Sequence, residues 1–125
     1  MIPIVPSNNK KRPYMVSKTS RIKLQNGHCA YIPAGFLTNY ASIPFLLKLF
    51  LNHIGVYRNA FVLHDSFYAY GGYFRNRLLT KFIAVSQREA DREMWYQMKK
   101  LGAENWRAEL YYQAVKYFGW LSFRK

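Results

Sequence analysis

The chain has 125 residues, of which half are hydrophobic and 18% aromatic, and 19 Lys and Arg against 6 Asp and Glu give it a formal charge of +13. This length fits one domain with one core, and the apolar content excludes a chain that is disordered throughout. The positive charge favours an anionic partner, which is a phospholipid surface, an acidic protein or nucleic acid, without choosing among them. A single cysteine, Cys29, excludes an intrachain disulfide.

Nothing in the sequence predicts a membrane or export signal. Residues 1–12 are rich in Pro, Asn and Lys, which predicts a loose arm, and they lack the leading charge and long apolar core of a signal peptide. The most apolar run, Ile43 to Leu51, contains Lys48 and is less than half as long as a bilayer span requires. We therefore expect no transmembrane segment and a protein that folds in the cytoplasm.

The first third of the chain predicts β-structure. Residues 21–25 and 28–32 flank Asn26-Gly27, and Asn-Gly is the strongest short-range hairpin signal because both residues tolerate the positive φ angles of a type I′ turn. A third strand is expected over residues 14–18, paired with this hairpin.

A loop and a short helix are expected next. Ser42 is a suitable N-cap and Pro44 suits the first turn, which predicts a helix from Phe45 to Leu51. This helix is apolar on nearly all sides, so we expect it to be buried. The alternative is an exposed apolar ridge that contacts a membrane or a partner.

Three longer helices are predicted in the second half of the chain. The first runs from about Tyr57 to Tyr70, the second opens at a capping box at Ser86, and the third covers residues 105–118. Residues 73–85 show no clear period and predict a loop. Together the elements predict a single α+β domain, with a loose arm at 1–12, a small antiparallel hairpin region at 13–36 and a helical region at 42–120.

The candidate site comes from polar residues on the inward faces of two predicted helices. His64 shares its face with Phe67, and Asp91 shares its face with Met94 and Met98. A buried carboxylate is costly unless a partner satisfies it, and a histidine on the neighbouring helix would be that partner. An imidazole held through one nitrogen has its other nitrogen available as a general base. A structural clasp between two helices would use the same pair, and the spacing does not separate these two interpretations.

Two further side chains belong to this candidate site. Tyr68, one turn after His64, is placed to donate its hydroxyl to Asp91. Asp65 is rotated by about 100° from His64 and is expected at the rim of the same pocket, where a carboxylate oxygen would suit calcium. The expected substrate pocket has Phe36, Asn39, Ile43 and Phe45 in its wall, with Arg75 or Arg77 near its mouth.

The two helices resemble the helix pair of phospholipase A₂. His64-Asp65-Ser66-Phe67-Tyr68 is similar to that family's His-Asp-x-x-Tyr helix, and Ala90 to Met98 is similar to its second helix. The resemblance implies a calcium-dependent ester hydrolase in which His64 activates water, Asp91 orients His64, Tyr68 supports the pair and Asp65 binds calcium. The family's Gly- and Cys-rich calcium loop and its disulfides are absent from this sequence, so carbonyl ligands would have to come from residues 35–44.

The wider layout resembles a family of small phage and prophage proteins of unknown function. The likeness spans roughly residues 30 to 120 and is carried by Pro33-Ala34-Gly35-Phe36, Ala41-Ser42-Ile43-Pro44, Leu63-His64-Asp65 and Ala90-Asp91. It implies a phage protein in the host cytoplasm or the virion. That family usually has Asp where this chain has Asn39, so a metal site that uses the Asp would be weakened here.

These observations give three functional hypotheses. The first is a non-enzymatic phage protein, either a virion or assembly component or a factor that binds a host partner, built on a hydrolase-like frame. The second is a calcium-dependent, phospholipase A₂-like hydrolase whose basic, aromatic surface holds an anionic membrane. The third is a nucleic-acid-binding protein, which only the charge supports, because the sequence has no zinc spacing, glycine-rich loop or known reader motif.

Overall fold

The computed structural model describes residues 2–9, 14–38 and 57–118, and within these ranges the fold is α+β, as predicted. The strands are β1 Ile4–Pro6, β2 Tyr14–Val16, β3 Ser20–Lys23, β4 Cys29–Ile32, β5 Leu37–Thr38, β6 Gly72–Phe74 and β7 Phe82–Ala84, and the helices are α1 Arg58–Tyr70, α2 Gln87–Lys100 and α3 Asn105–Phe118. None of these helices combines the length and apolar character that a bilayer crossing requires. The short helix predicted at Phe45 to Leu51 lies outside the described residues.

The strands form two small antiparallel sheets. One has the order β1-β2-β5 and the other the order β3-β4-β6-β7. The predicted strand at 14–18 is present as β2, but it pairs with β1 and β5 and not with the hairpin, so the predicted partner was wrong. The expectation of a loose N-terminal arm was also wrong for residues 4–6, because the backbone of β1 is hydrogen-bonded to β2.

The predicted hairpin is β3–β4, with its turn at Asn26-Gly27. Lys23 pairs with Cys29, and the amide of Gly27 donates to the carbonyl of Leu24 at 3.1 Å. Gly27 has a φ of 87°, whereas Asn26 has no positive φ. A type I′ turn needs positive φ at both central residues, so that turn type was wrong. Of the two residues, only Gly27 has a positive φ in the connection between the strands.

The segment predicted as a loop over 73–85 contains the hairpin β6–β7. Gly72 pairs with Ala84, and a Cβ atom added to Gly72 would lie 2.0 Å from the carbonyl oxygen of Ile83. Only glycine permits this approach between the two strands. Each strand has three residues, which is too short to show a two-residue period, and this is why the sequence pattern missed them.

Helix α1 lies between two hydrophobic clusters and is buried from Ala60 to Tyr68. Its residues Leu63 and Phe67 pack with the core beneath the sheets, whereas Ala60 and Phe61 pack with α2 and α3. The helix ends at Tyr70, as predicted, and Gly71 follows it in the left-handed conformation at a φ of 74°. His64 lies in the middle of α1, within its buried segment.

Candidate active site

Helices α1 and α2 bring His64 and Asp91 together. Ser86 caps α2, with its side chain accepting from the amide of Glu89 and the Glu89 carboxylate accepting from the amide of Ser86, so the predicted capping box is present. This start places Asp91 in the second turn, next to Ala90 on the buried side of the helix. The carboxylate therefore faces α1.

The hydrogen bonds predicted for Asp91 are present. The distance from His64 Nε2 to Asp91 Oδ1 is 2.7 Å, and the Tyr68 hydroxyl donates to the same oxygen at 2.5 Å. His64 is 1% exposed and Asp91 is 2% exposed. The three side chains thus form one buried polar cluster, and the catalytic roles expected for them stay predictions.

The second ring nitrogen of His64 has no such partner. Nδ1 is buried and makes no hydrogen bond in the part of the chain that the structure describes. Leaving a buried polar atom unsatisfied costs about 1–3 kcal/mol. An ionised carboxylate only accepts hydrogen bonds, so Nε2 carries the proton toward Asp91 and Nδ1 of a neutral imidazole keeps its lone pair. That lone pair is available to a water or a ligand.

Tyr68 is held in its protonated form. Burial, followed by the hydrogen bond to Asp91 and the charge of that carboxylate, raises the pKa of Tyr68 well above its usual range. The side chain of Gln87 also hydrogen-bonds Tyr68 and acts in the opposite direction on this pKa. Tyr68 is therefore a permanent donor that fixes the position of the Asp91 carboxylate.

A cavity of about 630 Å³ reaches Asp91 from the side of α2 and α3. Its lining residues are Ser86, Gln87, Arg88, Asp91, Tyr112 and Lys116. The hydrogen bonds from His64 and Tyr68 both end on Oδ1 of Asp91. The lining therefore gives Asp91 polar and basic neighbours, among them Arg88 and Lys116.

Asp65 is buried, with 4% of its surface exposed. Most of the loop expected beside it, residues 35–44, lies outside the described residues, so its position at the rim of a pocket stays a prediction. Within residues 2–9, 14–38 and 57–118 there is no group of three or more His, Cys, Asp or Glu side chains arranged to hold a metal ion. Calcium takes six to eight oxygen ligands, and Asp65 alone is a small part of such a set. The metal role of Asp65 stays a prediction that the described residues do not complete.

The expected substrate pocket is described only in part. Phe36 is buried in the core and packs on Tyr70, with ring centroids 5.6 Å apart. Its other expected wall residues, Asn39, Ile43 and Phe45, lie outside the described residues. Arg75 and Arg77, which were expected near a pocket mouth, are exposed in the connection between β6 and β7.

Comparison with known proteins places the chain in a family. The family described as "protein of unknown function (DUF1353)" matches residues 14–115, from β2 through most of α3. The chain is a DUF1353 protein. The match covers His64, Tyr68 and Asp91, so the whole polar cluster lies within the DUF1353 domain. Searches of the curated proteins and of the solved structures gave no match.

Sequence reasoning missed Gln87, Arg88 and Lys116, which line the cavity beside Asp91. Gln87 and Arg88 precede Asp91 by four and three positions on α2, so the helical period could have placed them beside it. Lys116 comes from α3, and no spacing within one helix indicates which neighbour it will approach. That residue required the three-dimensional arrangement of the helices.

Proposed function

We propose that this DUF1353 protein is a hydrolase in which His64 acts as a general base on water. The observation that carries the proposal is the unpartnered Nδ1 of His64, opposite an Nε2 that is held by a buried carboxylate. A residue that serves only to clasp two helices has no need of an unsatisfied nitrogen, which costs stability. A general base needs one, because the atom that takes the proton must be free to bind water.

The cluster supplies the roles that general-base catalysis requires. Asp91 fixes the tautomer and orientation of the imidazole and stabilises the imidazolium that forms during the reaction. Tyr68 is a positioning residue, since its hydroxyl touches the Asp91 oxygen that faces His64. The resemblance to the helix pair of phospholipase A₂ implies the same division of roles.

The proposed reaction is the hydrolysis of a carboxylic ester, with a phospholipid as the first substrate class to test. Nδ1 of His64 takes a proton from water while the water oxygen bonds to the carbonyl carbon. The resulting tetrahedral intermediate collapses, the bond to the alcohol oxygen breaks, and Nδ1–H returns its proton to that oxygen. The resemblance implies a calcium ion at Asp65, but the described residues do not complete such a site. The steps above involve only His64, water and the ester.

The test is an assay on phosphatidylglycerol vesicles and on a soluble aryl ester, each with calcium and with chelator. His64→Ala should abolish hydrolysis and shift the melting temperature by only a few degrees. His28→Ala is the matched control, because His28 lies in the β3–β4 hairpin, where its ring contacts the Tyr73 hydroxyl at 2.9 Å. Equal rates for wild type and His64→Ala, together with a large loss of stability, would overturn the proposal.

A second candidate is a non-enzymatic phage protein, which is a component of the virion or of its assembly, or a factor that binds a host partner. The near-complete burial of the His64 ring favours it, because a ring that is 1% exposed is well placed to act as a clasp between α1 and α2. Phage origin and a location in the host cytoplasm or virion belong to this candidate as proposals. Nucleic-acid binding has only the net charge in its support.

A further inference from the structure

The connection between β6 and β7, residues 75–81, presents an apolar side chain to solvent. We name these residues the β6–β7 tip. Leu78, within it, is 81% exposed, and the neighbouring Phe82 is 45% exposed. One exposed leucine is common on protein surfaces and needs no explanation by itself. Two further features distinguish Leu78 from such residues, and they are the backbone conformation of the tip and the positive charge around it.

The side chain of Asn76 joins the two sides of the tip. Its Oδ1 accepts hydrogen bonds from the amides of Thr80 and Lys81, each at 3.0 Å, and its Nδ2 donates to Thr80 Oγ1 at 2.7 Å. The amide of Arg75 donates to the carbonyl of Lys81 at 2.7 Å and closes the loop at its base. Leu78 therefore lies in a loop whose two sides are joined by hydrogen bonds.

The backbone of the tip adopts a conformation that leucine disfavours. Leu79 has a φ of 59° and is the only non-glycine residue with positive φ among the described residues. A branched side chain in the left-handed region is strained, and such strain persists only where the surroundings enforce it. The amide of Leu79 donates to the carbonyl of Asn76 at 3.1 Å, and the Asn76 side chain binds the next two amides, so hydrogen bonds flank the strained residue.

The charges around Leu78 have one sign. Arg75, Arg77 and Lys81 are exposed, and no carboxylate of the described residues forms an ion pair with them. The sequence has no Asp or Glu between Asp65 and Glu89. The guanidinium of Arg77 lies 5.7 Å from the ring centroid of Tyr31, which directs it along the sheet surface. The tip thus combines one exposed leucine with three exposed cations.

The tip is also connected to the core by aromatic contacts. Phe82 packs on Phe74 at 5.5 Å between ring centroids, Phe74 packs on Tyr70 at 5.4 Å, and Tyr70 packs on Phe36 at 5.6 Å. These edge-to-face and tilted pairs connect the base of the tip to α1 and to the buried core. The base of the tip is therefore packed against the core, which keeps the tip in place when it binds another surface.

We propose that the β6–β7 tip docks onto an anionic phospholipid surface. Leu78 enters the boundary between headgroups and acyl chains, while Arg75, Arg77 and Lys81 contact lipid phosphates. Charge complementarity supports this partner, as does the exposed side chain of Leu78. The phosphate backbone of nucleic acid would also bind these cations. The exposed leucine favours the lipid surface, because the acyl chains give it an apolar environment. Docking does not depend on the proposed hydrolysis.

The test is co-sedimentation with vesicles of phosphatidylcholine, alone or mixed with phosphatidylglycerol. Wild type should bind the mixed vesicles and release at high salt. Leu78→Ser should weaken binding by about tenfold or more, because one buried leucine is lost from the bilayer, and Leu78→Ile should retain it. Leu110→Ser is the matched control, since Leu110 is an exposed leucine on α3. An equal loss of binding in Leu110→Ser would overturn the role of the tip.

The charge arm uses Arg75→Gln and Arg77→Gln, each of which should weaken binding roughly fivefold. His64→Ala should bind as wild type does, so that failure of docking and failure of hydrolysis give separate readouts. Parallel measurements use duplex DNA and polyglutamate as probes. Binding to either probe that is unaffected by Leu78→Ser, with no binding to anionic vesicles, would overturn the proposal in favour of a nucleic acid or an acidic protein.

Discussion

The ring of Tyr68 packs on that of His64, with ring centroids 4.1 Å apart and the planes tilted by 41°, and both side chains contact the same oxygen of Asp91. This sharing has an energetic consequence, because removal of the carboxylate leaves two buried partners unsatisfied at once. The cluster therefore links the stability of the α1–α2 interface to its proposed chemistry.

Asp91→Ala should lower the free energy of unfolding by roughly 1–3 kcal/mol, since the His64 and Tyr68 groups that face Asp91 lose their acceptor. Tyr68→Phe should cost less, about 0.5–1.5 kcal/mol, because it removes one hydrogen bond and leaves the carboxylate paired with His64. Urea denaturation followed by circular dichroism measures both. A neutral Asp91→Ala would mean that the cluster contributes nothing to the packing of the two helices.

Alkaline pH should destabilise the fold through Tyr68. Burial and Asp91 raise the pKa of Tyr68 in the folded state above the ordinary value of 10.0. Above pH 10 the unfolded chain releases this proton and the folded chain keeps it, so the free energy of unfolding falls as pH rises. Denaturation at a series of pH values between neutral and strongly alkaline should show this fall, and Tyr68→Phe should make it shallower. An identical slope in the variant would contradict this assignment.

Gly72→Ala should destabilise the β6–β7 hairpin. The new Cβ would lie 2.0 Å from the Ile83 carbonyl oxygen and 2.9 Å from the Ala84 Cα atom, so the strands must separate, at a cost of roughly 1–3 kcal/mol or more. Gly35→Ala is the matched control. Gly35 has a φ of 87° and open space around it, so this variant adds conformational strain without a clash. Thermal unfolding should show the larger loss for Gly72→Ala and reduced vesicle binding in that variant alone.

The sequence predicted the helices well because their signals are local. The capping box at Ser86, the glycine after Tyr70 and the apolar spacing around His64 each act within one or two turns, and the structure has α1 and α2 where these signals place them. The same spacing turned His64 and Asp91 inward. The buried face of a helix is set by its period, so their hydrogen bond followed once the two helices were adjacent.

Strand pairing was predicted less well, for a physical reason. Tyr14–Val16 was recognised as a strand, but its partners were not, because three residues contain too little alternating pattern to fix a register.

The orientation of α3 was also predicted less well than its position along the chain. The sequence spacing predicts one shared stripe for Trp106, Leu110, Ala114 and Tyr117. In the structure Ala114 is buried and the other three are exposed, while Ala108, Tyr111 and Val115 pack inward. Periodicity groups residues on a face but does not identify which face the neighbouring elements cover.

The unbroken burial of α1 has a consequence for motion. Every residue from Ala60 to Tyr68 is buried, and the two hydrophobic clusters pack against different parts of this helix. Amide hydrogens in such a segment exchange with solvent only when the molecule opens globally, whereas those of peripheral elements exchange through local openings. We expect the amides of α1 to be the slowest to exchange with deuterium. Any local opening that lets water reach the His64 ring must then occur in the elements packed around α1, while the helix itself remains folded.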